Sequence, residues 1–157
     1  MNKADFQIDT RELQRMFAEL EPRRRKQVFR STLNQSANIL IRETRKNLKS
    51  VVKDINSINS WNGKKLQAGI KKKVERDAKS AKIHIMGDFR LKFFEMGTSD
   101  RYTKRHSKER GGKGGYRGKN TASYFFNSAK QATEKRIFDD IEMRLNRQIV
   151  RINNKYT

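Results

Sequence analysis

The residues best suited to chemistry are concentrated in one stretch. Between Ser99 and Thr121 the chain carries Arg101, Lys104, Arg105, Lys108, Arg110, Lys113, Arg117 and Lys119 against Asp100 and Glu109, eight cations to two carboxylates and hence a net +6. Five of the nine glycines lie there, and no aliphatic side chain does. Closely spaced Arg and Lys neutralise phosphates, Gly lets the backbone approach a ligand, and Tyr102 and Tyr116 offer faces on which bases stack. Arg110-Gly111-Gly112 and Tyr116-Arg117-Gly118 have the character of RGG segments. The same composition also fits a solvated loop that touches an acidic subunit. With so little apolar surface to bury, the stretch is expected to be a flexible loop.

Catalytic readings of the same residues fail on spacing. No register of the glycines gives G-x-x-x-x-G-K-[ST], because Asn120 follows Gly118-Lys119 where Ser or Thr is needed, and no apolar strand leads in. The G-x-G-x-x-G pattern fails because Gly112 and Gly114 put Arg117 at the third glycine position. His84 and His106 are the only histidines and do not share a ligand spacing. Glu95 with His106 can be drawn as an acid–base pair, but nothing in the sequence gives them a pocket. The absence of cysteine removes disulfides, thiolate nucleophiles and Cys-based zinc sites. The expectation is a protein without catalytic residues, metal or cofactor.

The whole chain shares the cationic bias. Its 157 residues suit a single domain, 1–157, and 38 Lys and Arg against 17 Asp and Glu give a formal charge of +21. Such a charge attracts polyanions and keeps copies apart. Leu, Ile, Val and Phe make up 34 of the 157 residues, just above the roughly 20% below which highly charged chains are disordered. Folding alone is therefore expected to be marginal. Uninterrupted apolar runs are no longer than Ile39-Leu40-Ile41, and Met1 to Asp5 has no signal-peptide character, so a soluble protein without membrane contact is expected.

The elements that would position the basic stretch follow from periodicity. Asp9 and Thr10 can cap a short helix over Arg11 to Leu20, with Leu13, Met16, Phe17 and Leu20 on one face. Pro22 suits the first turn of a longer helix to Leu48, striped by Phe29, Leu33, Ala37, Leu40, Ile41, Thr44 and Leu48. Arg23-Arg24-Arg25-Lys26 in its first turn oppose the helix dipole unless an anion or acidic partner is near; otherwise they form a solvated face. Asp54 to Gly63 reads as a loop holding Trp61 as an anchor. Leu66–Arg76 and Ala81–Ile85 read as a hairpin turning at Asp77–Ser80. Leu91 to Met96 fits either a third strand or a helical turn, ended by Gly97. Tyr124-Phe125-Phe126 follows as an apolar anchor or edge strand. A final helix from a Ser128 cap to Asn153 carries Ala129, Ala132, Ile137, Phe138, Ile141, Leu145, Ile149 and Ile152. Together these predict an α+β fold, two long amphipathic helices packed on a small, mainly antiparallel sheet.

The order of these pieces resembles the head-tail joining or tail-completion components of long-tailed bacteriophages. The matching pieces are Leu13–Leu20, Pro22–Leu48, Gly63 and Leu66 with Ile70, Phe94-Glu95-Met96-Gly97-Thr98, and Phe125-Phe126 leading into the last helix. The resemblance implies a non-enzymatic virion protein, assembled in the host cytoplasm. Such a protein is a homo-oligomeric ring subunit that meets other phage head or tail proteins and through which DNA passes. It implies structural roles for Gly63, Leu66, Phe94, Glu95, Gly97, Thr98, Phe125 and Phe126. On the residues themselves, Gly97 would let the chain leave a strand at positive φ and Thr98 would bond backbone locally. Phe94 would pack under the long helix. Glu95 would be a surface carboxylate or a partner for basic groups. A stand-alone nucleic-acid-binding module using the same loop is the alternative.

Overall fold

A computed structural model describes residues 5–9, 11, 22–60, 62–102 and 115–156, with the side chains of the last helix described to Arg151. The expected helix after Arg11, Trp61, His106 and the loop tip with Lys104, Arg105, Lys108, Arg110 and Lys113 lie outside those residues. Strand β1 (Asp5–Asp9) opens the chain, followed by helix α1 (Pro22–Val51), a 3-10 turn (Leu66–Gly69), β2 (Lys71–Val74), β3 (Ser80–His84), helix α2 (Phe89–Met96) and helix α3 (Phe125–Tyr156). The fold is α+β, as expected.

The sheet is antiparallel in the order β1-β3-β2. Ile8 faces Ala81 and Phe6 faces Ile83 across the first pair, while Lys73 faces Lys82 across the second. The sequence reading missed β1, although Asp5-Phe6-Gln7-Ile8-Asp9 alternates cleanly and buries Phe6 and Ile8. Asp9 ends this strand and accepts from the Arg11 backbone N–H at 3.0 Å, the bond expected of a helix cap, and Arg11 itself is helical. The hairpin's first arm is shorter than expected. Leu66–Gly69 coils as a 3-10 turn, and pairing begins at Lys71.

Helix α1 buries the expected stripe from Phe29 to Leu48, and Thr32 and Ser36 join it. It lies between the sheet and α3, touching β2, β3 and, most extensively, α3. The two long helices run antiparallel: Asn47 near the end of α1 donates to the Phe125 carbonyl at 3.1 Å, and Ser36 further back donates to Asp140 at 2.7 Å. From α3 the core receives Phe125, Phe126, Ala129, Ile137, Ile141 and Leu145, with the buried Thr133 hydroxyl bonded to the Ala129 carbonyl. This stripe is narrower than periodicity suggested. Ala132, Phe138 and Ile149 face solvent.

The Leu91–Met96 stretch is helical. Asp88 caps α2, its carboxylate accepting from the Arg90 N–H at 3.0 Å. The loop that follows α1 clamps the same point, with Arg90 donating to the Ser57 carbonyl and Asn59 to Asp88. That loop is itself a small hairpin. Ile58 bridges Lys65, Gly63 turns at φ 66, and Leu66 follows as a buried anchor.

Candidate functional site

The basic stretch stands on a joint between α2 and α3 whose centre is Glu95. This residue is 5% exposed, and its carboxylate accepts from the Phe126 N–H at 2.8 Å and the Asn127 N–H at 3.1 Å, one oxygen to each. These are two of the N–H groups that a helix start leaves without intrahelical partners, and the negative charge lies at the positive end of the helix dipole. The helix begins at Phe125, so Tyr124-Phe125-Phe126 is a helix entrance and not an edge strand. Ser128 lies inside the helix, its N–H bonded to the Tyr124 carbonyl. A tertiary cap from α2 replaces the local cap expected at Ser128. Glu95 is thus buried rather than a surface carboxylate, and among the described residues it pairs with no basic side chain.

The joint is reciprocal. While Glu95 caps α3, the carbonyls of Phe94 and Glu95 at the end of α2 accept from the backbone N–H groups of Ser123 and Tyr124, and the Ser123 hydroxyl adds a 2.7 Å bond to the Phe94 carbonyl. Phe94 is half-buried against the core. Gly97 leaves a helix, not a strand, at φ 72, and a Cβ there would lie 2.7 Å from the Asn120 carbonyl oxygen. Thr98 bonds Asn120 twice, donating its N–H to the carbonyl and accepting the Asn120 N–H on its hydroxyl, each at 2.9 Å.

From this joint the two ends of the basic loop leave as a paired stem. Arg101 donates its N–H to the Gly118 carbonyl at 3.1 Å, Arg117 donates to the Arg101 carbonyl at 2.6 Å, and Tyr102 bridges Tyr116. The stretch expected to be flexible throughout is therefore ordered at its base. Tyr102 and Tyr116 pack on each other, ring centroids 5.4 Å apart, and the Tyr116 hydroxyl donates to Asp100. Both rings remain more than half exposed. Arg101, Arg117 and Lys119 are exposed on the stem, and among the described residues none of the three is in an ion pair. The other five cations of the set belong to the tip outside the described residues.

His84, read as a strand-surface imidazole, is half-buried in β3, and its Nδ1 accepts from the Met86 N–H. Burial lowers its pKa, nearby Lys71 and Lys82 lower it further, and Asp5 acts in the opposite sense. Sequence reasoning missed Asp88, Arg90, Asn120 and Ser123 as parts of the joint and its supports. Only Asp88 carried a local signal, an Asp before an apolar run. No family model, curated protein or solved structure matches this chain.

Proposed function

We propose that the chain is a structural virion protein of a phage or prophage, a ring-forming subunit at the head–tail junction or tail end that presents its basic hairpin to DNA or to an acidic neighbour. The order of sequence motifs suggests the family, and the chemistry of Glu95 supports a structural role. The carboxylate that an enzyme would need free is consumed by two backbone N–H groups at the helix start. This observation carries the non-enzymatic reading. The Phe94–Thr98 signature then reads as a device that fixes a cationic hairpin to a long helix.

The sheet supports self-association. Both β1 and β2 are edges, and the solvent face grades from Asp5, Gln7 and Asp9 on one edge to Lys71 and Lys73 on the other. Head-to-tail edge pairing would set Asp5 and Asp9 of one copy, which Lys82 and Arg11 of the same chain already neutralise in part, beside lysines of the next, and such heterologous contacts form a ring when the rotation between copies closes. Light scattering on the purified protein tests this. The expected result is a discrete multimer that Lys71→Glu with Lys73→Glu reduces to monomer. A wild-type protein that stays monomeric, alone and with acidic head or tail proteins, while binding nucleic acid steeply with salt would replace the ring with a stand-alone binding module.

A further inference from the structure

A second cationic region lies far from the hairpin, where the start of α1 meets the end of α3. Because the long helices are antiparallel, Ser31, Thr32 and Gln35 of α1 face Arg144, Arg147 and Arg151 of α3 across a cleft of about 230 Å³, with Gln148 completing the lining. No apolar side chain lines it. Arginine, hydroxyl and amide groups are the repertoire that proteins use on phosphate and sugar oxygens.

The side chains that line the cleft carry positive charge alone, while on their other side Arg147 and Arg151 share an adjoining depression with Asp139 and Glu142. Pro22–Gln35 and Met143–Arg151 together hold eight Arg and Lys and no carboxylate. Asp140, one turn before Arg144, is already engaged, accepting from Arg144 Nε and the Ser36 hydroxyl at 2.7 Å each. Gln35 accepts from the same guanidinium, which fixes Arg144 across the cleft. Arg147 has a weak contact with the Met143 sulfur. Among the described residues, Arg23, Arg25, Lys26, Arg30, Arg147 and Arg151 are in no ion pair. Arg147 and Arg151 are separated by one helical turn, about 6 Å of rise. They form a short row beside Arg144, whose guanidinium Asp140 and Gln35 hold in place.

We propose that this cleft binds the phosphodiester backbone of duplex DNA, independently of the hairpin. The polar lining favours this ligand over an acidic peptide, which would need apolar contacts as well as charge to dock. The cleft lies 22 residues along α3 from Phe125, about 33 Å at 1.5 Å per residue. Hairpin and cleft are therefore separate contacts, and the cleft does not depend on ring formation.

The test is fluorescence anisotropy of a short labelled duplex, titrated with full-length protein over a range of salt concentrations. Arg147→Ser with Arg151→Ser should lower the log–log salt slope by about 1.8, at about 0.9 for each phosphate no longer neutralised, whereas Arg147→Lys with Arg151→Lys should keep it. Arg117→Ser with Lys119→Ser in the hairpin should leave the cleft's share intact. If the serine variant loses helical circular dichroism, Arg147→Gln with Arg151→Gln retains the aliphatic stems and takes its place. An unchanged slope and affinity in the arginine variants overturns the proposal, as does wild-type binding to poly-glutamate without binding to the duplex. Light scattering on the same variants reads the ring separately, so either idea can fail without the other.

Discussion

The two ends of α3 treat charge in opposite ways. At its start the Glu95 carboxylate is buried and both oxygens are bonded to backbone, whereas near its end Arg144, Arg147 and Arg151 line an open polar cleft, and of the three only Arg144 is paired, with Asp140 one turn before it. Burying an ion is tolerable only when its hydrogen bonds are met, so a buried charge like Glu95 is committed to the fold. Exposed cations without counter-ions contribute little to folding and remain free for a ligand. In a chain of +21, this division separates residues that hold the structure from residues that meet a partner.

The strongest way to break the comparison is to exchange the effects of its two ends. Glu95→Ala removes two hydrogen bonds to a charged acceptor, each worth about 1.5–3 kcal/mol, and strands the N–H groups of Phe126 and Asn127. Urea denaturation should show a loss of about 4 kcal/mol, and Glu95→Gln, which keeps one acceptor oxygen, about half of that. The serine substitutions at Arg147 and Arg151 should change stability by no more than about 0.5 kcal/mol while lowering duplex affinity. If Glu95→Ala, measured where it is still folded, weakens DNA binding as much as the arginine variant does, the division between fold and contact is wrong.

Two glycines sharpen the contrast between joint and stem. Gly97 adopts φ 72 and ψ −175, a region that essentially only glycine enters, and an added Cβ would meet backbone atoms of Asn120 and Ala122 at 2.7 and 2.8 Å. Gly118 also has positive φ, 78, but nothing lies within 4 Å of its missing Cβ. Gly97→Ala should therefore cost about 3 kcal/mol and Gly118→Ala about 1 kcal/mol, the latter from the backbone alone. Thermal unfolding of the two variants compares them directly. Equal losses would mean that the joint is no tighter than the stem it carries.

What the sequence made legible follows the range of the interactions. The stripe of α1 could be read because seven apolar or small residues repeat at helical spacing, and the core of α3 could be read from Ala129 to Leu145 for the same reason. Where α3 begins could not be read, because its cap comes from a residue 31 positions away and the nearby Ser128 offered a plausible local substitute. The helical state of Leu91–Met96 was open on periodicity and was decided by Asp88 together with the clamp from Ser57 and Asn59. Strand β1 is five residues long, too short for its alternation to announce a strand by itself. The arginines of the cleft were visible as residues, but the cleft itself exists only once antiparallel packing sets α3 beside Ser31 and Gln35. The basic loop was conspicuous, yet its paired stem depends on backbone bonds between Arg101 and Gly118 that composition cannot reveal.

The smallest expected effect links the two charge regimes through pH. Burial raises the pKa of Asp140, but hydrogen bonds from Arg144 and then Ser36 outweigh it and hold the carboxyl below its ordinary 3.8. Asp88 is depressed likewise, with burial opposed by the Arg90 side chain and backbone and by Asn59. Between the lowered folded values and 3.8 the unfolded chain binds more protons, so stability falls as the solution becomes more acidic. Both contributions are fully present above 3.8 and are lost as pH drops through the folded values. Asp140→Asn should therefore lower stability at neutral pH, by no more than about 1 kcal/mol because Arg144 is partly exposed, and should flatten the acid limb of the stability curve. Removing that carboxylate also deprives Arg144 of its counter-ion, so the same variant should bind duplex DNA more tightly at neutral pH. A variant that loses stability and DNA affinity together would show that Asp140 shapes the cleft rather than tempering its charge.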